Sequence, residues 1–125
     1  MLSLILSGTA IAAESRASSR LSRYSAELFA GNDGNLYVLF SVIASNTMDV
    51  LGASNITIQR YNGSRWDTEC TLTVKDTPEM QTSNAAQYSA SIPYEPNYSN
   101  ANYRAVVTFY AKDSSGSSTA QVITK

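Results

Sequence analysis

Asp67 and Glu69 stand two residues apart, the spacing that puts two carboxylates on one face of a strand. Paired carboxylates are the working groups of acid–base hydrolysis. Asp49, Asp76 and Glu79 are further acidic candidates. The local pattern argues against a catalytic pair. Trp66, Thr68, Cys70, Leu72 and Val74 alternate with Asp67, Glu69, Thr71, Thr73 and Lys75. That period sends the first set inward and leaves Asp67 and Glu69 in solvent. The stretch Asp76 to Glu79 offers oxygen donors for a hard cation, but it lacks the Asp-x-Asp-x-Asp-Gly order of a calcium loop. The sequence has no histidine. This removes the usual general base near neutral pH, the commonest metal ligand and a conventional Ser-His-Asp triad. A Ser-Lys dyad finds no motif. Cys70 is the one cysteine, so it closes no intrachain disulfide and anchors no zinc site. Its alternation with Trp66 and Leu72 is that of a buried structural thiol. No catalytic residue, metal site or cofactor is expected.

What remains is recognition chemistry. The chain carries eight tyrosines, and Tyr37, Tyr61, Tyr94, Tyr98 and Tyr110 fall where side chains reach solvent. Tyrosine-rich faces and loops suit protein or sugar partners, because the ring is a rigid apolar body with a polar tip. The net charge of −1 gives no electrostatic case for nucleic acid or an anionic membrane surface.

The elements that must hold these residues are strands. Tyr103, Ala105, Val107, Phe109 and Ala111 recur with period two, Asp113-Ser-Ser-Gly116 supplies a turn, and Ala120 and Val122 resume the alternation. Leu36 to Ile43 is the strongest apolar run, with Leu36, Val38, Phe40 and Val42 inward. Leu21 to Ala30 precedes it as a strand with Tyr24, Ala26 and Leu28 on one face, followed by the turn cluster Gly31 to Asn35. Ala44 to Ser54 shows no clear period and reads as a connection whose Met48 and Leu51 plug one end of the core. Asn55 to Tyr61 and Trp66 to Val74 form a hairpin. A two-residue Asn62-Gly63 loop would oppose Ile58 and Asp67 and mix faces. A three-residue loop, Asn62 to Ser64, pairs Arg60 with Trp66, Ile58 with Thr68 and Ile56 with Cys70, and it is the expected register. It also lays Arg60 on the face of Trp66. Asp76 to Ala86 reads as a loop and Gln87 to Ile92 as a short strand. Pro93 to Asn100 is a crossing loop, since its two prolines lack donors. The expected core is Leu36, Val38, Phe40, Ile56, Ile58, Trp66, Leu72, Tyr103, Val107 and Phe109.

Residues 1–12 form an apolar run that ends in Ala10-Ile11-Ala12, an A-x-A cleavage pattern, although a positive charge after Met1 is missing. They read as a signal peptide, residues 13–20 as a flexible start, and 21–125 as one domain. The expected location is therefore outside the cell.

Seven short strands at this spacing resemble an immunoglobulin-like β-sandwich, and more closely a fibronectin type III domain. Asn55 to Trp66 resembles the third strand, turn and next strand of that fold, and Tyr103-x-Ala105-x-Val107 its sixth strand. The resemblance implies an all-β antiparallel sandwich in which Tyr103 is the tyrosine-corner residue, its hydroxyl bonding backbone a few residues upstream. Ala105 stands where antibody-type domains carry a disulfide cysteine, and Phe40 where many fibronectin domains carry a tryptophan. Thr47-Met-Asp-x-x-Gly-Ala-Ser54, Asn62-Gly-Ser-x-Trp66 and Val106-Val-Thr-Phe-Tyr-Ala111 are also similar to a family of small secreted proteins of Gram-positive gut bacteria that bears a domain-of-unknown-function label. That likeness implies export and no activity.

In the fibronectin-like arrangement the third, sixth and seventh strands share a sheet. Thr57, Gln59, Tyr61, Arg104, Val106, Thr108, Tyr110, Gln121 and Ile123 face outward on it. Gln59, Tyr61, Arg104, Val106 and Tyr110 are the expected binding residues, since tyrosine and arginine are enriched at interfaces. Tyr94 and Tyr98 mark an alternative binding loop. The expected function is that of a secreted, non-catalytic binding or adhesion module for an extracellular protein or glycan. The alternative is a secreted effector such as a protease inhibitor or toxin-like factor.

Overall fold

A single strand of 26 residues, Leu36–Tyr61, runs through the centre of the molecule. The structure, a computed structural model, describes residues 20–124. The expected signal peptide and almost all of the flexible start lie outside these residues. Six strands follow in order: β1 (Leu21–Ala30), β2 (Leu36–Tyr61), β3 (Trp66–Thr73), β4 (Gln81–Tyr94), β5 (Tyr103–Asp113) and β6 (Gly116–Ile123). Among the described residues the only helical element is the 3-10 turn Pro78–Met80, and no helix is long and apolar enough to cross a membrane.

All pairings are antiparallel, and β2 takes part in four of the five. Its first part lies between β1 and β4, the stretch Val50 to Gly52 between β4 and β5, and its last part, from Asn55, between β3 and β5, with β6 beyond β5. The result is one antiparallel sheet curled into a half-barrel. β2 bends where it bulges: its register with β4 jumps from Ile43 to Met48, and a further shift, against β5, separates Ala53 from Asn55. Bulges add local twist and re-aim the strand, which lets one sheet fold over its own core. Gly52 sits at the bend with φ +152°, and a Cβ there would lie 2.2 Å from the carbonyl oxygen of Met80. Only glycine lets β4 come this close.

Period two explains the core. Val38, Phe40 and Val42 from the first half of β2 meet Ile56, Ile58, Ala105, Val107 and Phe109 from the other side of the curl, all fully or nearly buried. Phe109 joins the halves. Its ring lies 5.4 Å from Tyr24 on β1 and 5.9 Å from Phe40, edge-on to the latter at 74°. Met48 and Leu51 are buried as expected. The β5–β6 hairpin also forms where the sequence places it. Asp113 Oδ1 accepts from the Ser115 and Gly116 amides at 2.9 and 3.1 Å, and Arg20 Nε reaches Asp113 at 3.1 Å.

Several expectations change. Ala44 to Ser54 is strand, not a connection, because its two bulges hide the period. Gln81 to Ala86, expected as loop, belongs to β4. Pro93 lies within β4, on the edge of the sheet where its missing donor costs no ladder bond. The β2–β3 loop spans 62–65, so Tyr61 opposes Trp66 and Ile56 opposes Leu72. A bulge between Ile58 and Gln59 pairs Ile58 with Cys70 and Gln59 with Thr68. Trp66 consequently leaves the core, whereas Leu72 and Tyr103 are half-buried but stay packed against it.

Candidate functional site

Along β5, Ala105, Val107 and Phe109 are buried, so Arg104, Val106, Thr108 and Tyr110 point outward between them. The register sets Gln59 of β2 beside Arg104, Thr57 beside Val106, and Ile123 of β6 beside Val106 on its other side. Four of the five expected binding residues thus form a contiguous patch: Gln59, Arg104 and Val106, with Tyr61 one step further along β2. Tyr110 lies on the same face but toward the other end, opposite Gly52 and Thr119.

The patch gains a residue that the sequence assigned to the core. The four-residue turn is held by Asn62, whose Oδ1 accepts from the amides of Ser64 and Arg65 at 2.9 Å each. This turn brings Trp66 outward beside Tyr61, with ring centroids 5.2 Å apart. Arg104 reaches across β2 and lays its guanidinium on the indole, Cζ 4.5 Å from the ring centroid. Its Nε donates to Gln59 Oε1 at 2.7 Å. Arg104, not Arg60, makes the cation–π contact with Trp66. Arg60 turns to the opposite face and covers the Tyr98 ring at 4.3 Å. The turn residue Asn62 was the available sequence signal, since an Asx side chain that caps the following amides selects a longer loop.

Glu69 is the second departure. The bulge in β3 turns its side chain away from solvent, leaving it 6 % exposed. Its carboxylate accepts from the Tyr94 hydroxyl, from the Tyr103 hydroxyl at 2.8 Å and from the Asn97 amide at 3.1 Å. Arg60 Nε stands 3.8 Å away, an ion pair too long for a hydrogen bond. Burial alone would raise the Glu69 carboxyl, but these hydrogen bonds and the Arg60 charge outweigh it and hold it below the usual carboxylate range. Burial and the same carboxylate push the Tyr94 and Tyr103 phenols up. A carboxylate held ionised and phenols held neutral move no protons near neutral pH, so the cluster fastens the segment between β4 and β5 to β3. Tyr103 also accepts from the Tyr98 amide at 3.3 Å. Tyr94 and Tyr98, the alternative binding pair, are therefore engaged from within: Tyr94 through its hydroxyl, Tyr98 through the face Arg60 covers, although Tyr98 remains 53 % exposed.

A groove of about 450 Å³ lies elsewhere, over β1, β2 and β4, and its lining includes Ser25, Glu27, Leu39, Ser41, Ser89 and Ser91. It contains none of the expected site residues. Among the described residues no cluster of three metal-ligating side chains occurs, and Cys70 is a half-buried free thiol. Asp67, unlike Glu69, does stay near solvent, where Asn62 first and then Arg65 lower its carboxyl. No family model, curated protein or solved structure matches the chain.

Proposed function

We propose that this chain is a non-catalytic recognition module, working outside the cell, whose binding surface is the outward face of β2, β3, β5 and β6. One observation carries the reading. Tyr61, Trp66, Arg104 and Gln59 form a pre-ordered aromatic–cation assembly on a sheet face over which no described strand packs. Trp, Tyr and Arg are the residue types that dominate binding hot spots. A guanidinium already fixed by a ring and an amide loses little freedom when a partner arrives. Export is supported by the apolar run and A-x-A pattern of residues 1–12. Kinship with fibronectin type III or immunoglobulin-like domains is the finer reading of the fold, and Tyr103 supports it: its hydroxyl meets the backbone of Tyr98 five residues upstream, as in a tyrosine corner.

The experiment is a binding screen of the full chain against extracellular proteins and glycans, followed by two double variants. Tyr61→Ala with Tyr110→Ala should abolish capture of whatever ligand emerges. Tyr94→Phe with Tyr98→Ala should keep it, and circular dichroism checks that both remain folded. Loss in the second variant alone would move the site to the loop end and refute the sheet-face reading.

A further inference from the structure

We infer that the ligand of this face is a protein segment that presents a carboxylate side chain to Arg104 with an apolar residue beside it. The inference rests on the binding-face reading above and adds the chemistry of the partner. Arg104 is half-buried, and among the described residues it forms no ion pair. Its Nε is committed to Gln59 and one face of its guanidinium to Trp66. The end-on edge, with both Nη groups, makes no hydrogen bond to a described residue and remains for a ligand. Two parallel N–H donors in one plane match the two oxygens of a carboxylate.

The surroundings make that charge one-sided. The outward neighbours of Arg104 on four strands are Thr57, Gln59, Thr68, Val106, Thr108 and Ile123, none of them acidic. The next outward charge along β5 is Lys112, again a cation. The chain as a whole is net negative, with ten acidic residues, so this face departs from the rest of the surface. Burial pulls the Arg104 pKa down with no acidic neighbour to offset it. A partly desolvated cation without a counter-charge is a cost in the free protein that an incoming carboxylate relieves.

The same geometry favours protein over glycan. Sugar rings stack on open aromatic faces, and here the guanidinium already occupies a face of Trp66. Next to it the cross-strand pair Val106 and Ile123 presents aliphatic surface, with Ile123 50 % exposed. Methyl groups are satisfied by apolar side chains, not by hydroxyls.

The test is a titration of the uniformly ¹⁵N-labelled full chain with three probes. These are the blocked pentapeptide Gly-Leu-Glu-Leu-Gly, the same peptide with Gln for Glu, and oligogalacturonate. The Glu peptide should shift the Arg104 side-chain resonance, the Trp66 indole N–H and the amides of Val106 and Ile123 saturably, and less so as salt is raised. The Gln peptide, and the Glu peptide on Arg104→Gln, should bind about tenfold more weakly or worse. Arg104→Lys should retain part of the salt-dependent binding, because charge survives while the fork does not. Equal affinity for the Glu and Gln peptides at these residues would overturn the carboxylate while leaving the binding face standing. Tighter binding of oligogalacturonate would overturn the protein assignment. Absence of shifts at this face with the Glu peptide would overturn the inference outright, whereas the binding face itself is judged by the Tyr61 and Tyr110 variant in the separate screen.

Discussion

Replacing Glu69 by Gln should lower stability at neutral pH, and the loss should vanish in acid. The carboxylate takes three hydrogen bonds and faces Arg60, with only 6 % of the side chain exposed. Hydrogen bonds to a charged group contribute about 1.5–3 kcal/mol each when well buried. Tyr94 and Tyr103 are half-buried and Asn97 is exposed, so water can replace part of each bond. The amide of the Glu69→Gln variant keeps one acceptor oxygen but turns a donor toward groups that also donate. A net loss of about 2–3 kcal/mol at pH 7 follows, a large share of the 5–15 kcal/mol typical of a domain. The pH dependence separates the charge from mere packing. The folded pKa of Glu69 lies below its unfolded value, so its stabilisation is complete above the unfolded carboxylate range and is lost as pH falls through the folded value. Asp33, Asp67 and Asp113 are also lowered, but they are common to both proteins and cancel in the difference. Urea denaturation of wild type and Glu69→Gln from pH 7 down to pH 2 should therefore give curves that converge. A gap that persists unchanged at pH 2, or no gap at pH 7, would refute the account of the cluster.

Three further outcomes follow from the packing. Phe109→Ala removes the ring that joins both halves of the curl and should cost about 3–5 kcal/mol, read from thermal or urea melts; an unmoved transition would show that the ring is not central. Gly52→Ala should cost on the order of 3 kcal/mol, because the new methyl meets the Met80–Gln81 backbone and the φ suits no other residue; soluble expression with a wild-type melting temperature would contradict the close approach. Tyr103→Phe should cost about 1–2 kcal/mol and should have little further effect in the Glu69→Gln background, a coupling that a double-mutant cycle measures.

The sequence displays what period two can display. β1 beyond Arg23, the first half of β2, and β5 with its Asp113-to-Gly116 turn were legible because each turns one face to the core in unbroken alternation. Ala44 to Ser54 was not, since the irregularities after Ile43 and near Ser54 shift the parity twice within one short stretch. The same cause hid Glu69. One extra residue in β3 moves a side chain from the solvent face to the inner one, and nothing in the composition of Trp66 to Val74 marks where it is inserted. The patch was legible in its β2 and β5 residues, whose outward parity depends only on clean alternation. Its tryptophan was not, because face-matching alone favours a loop one residue shorter than the turn Asn62 builds.

The bulge that follows Ile43 also determines where the chain can change length. In the first half of β2 each residue is held by β1 and β4 at once, so an insertion there would flip side chains against two neighbours together. Asn46 and Thr47 are exposed, and the β4 register passes them by. A peptide spliced between Asn46 and Thr47 would emerge from the side of the molecule with both ends anchored in the same strand. The spine of the fold thereby contains its own grafting point, on a β2 segment separate from the Tyr61–Trp66–Arg104 face.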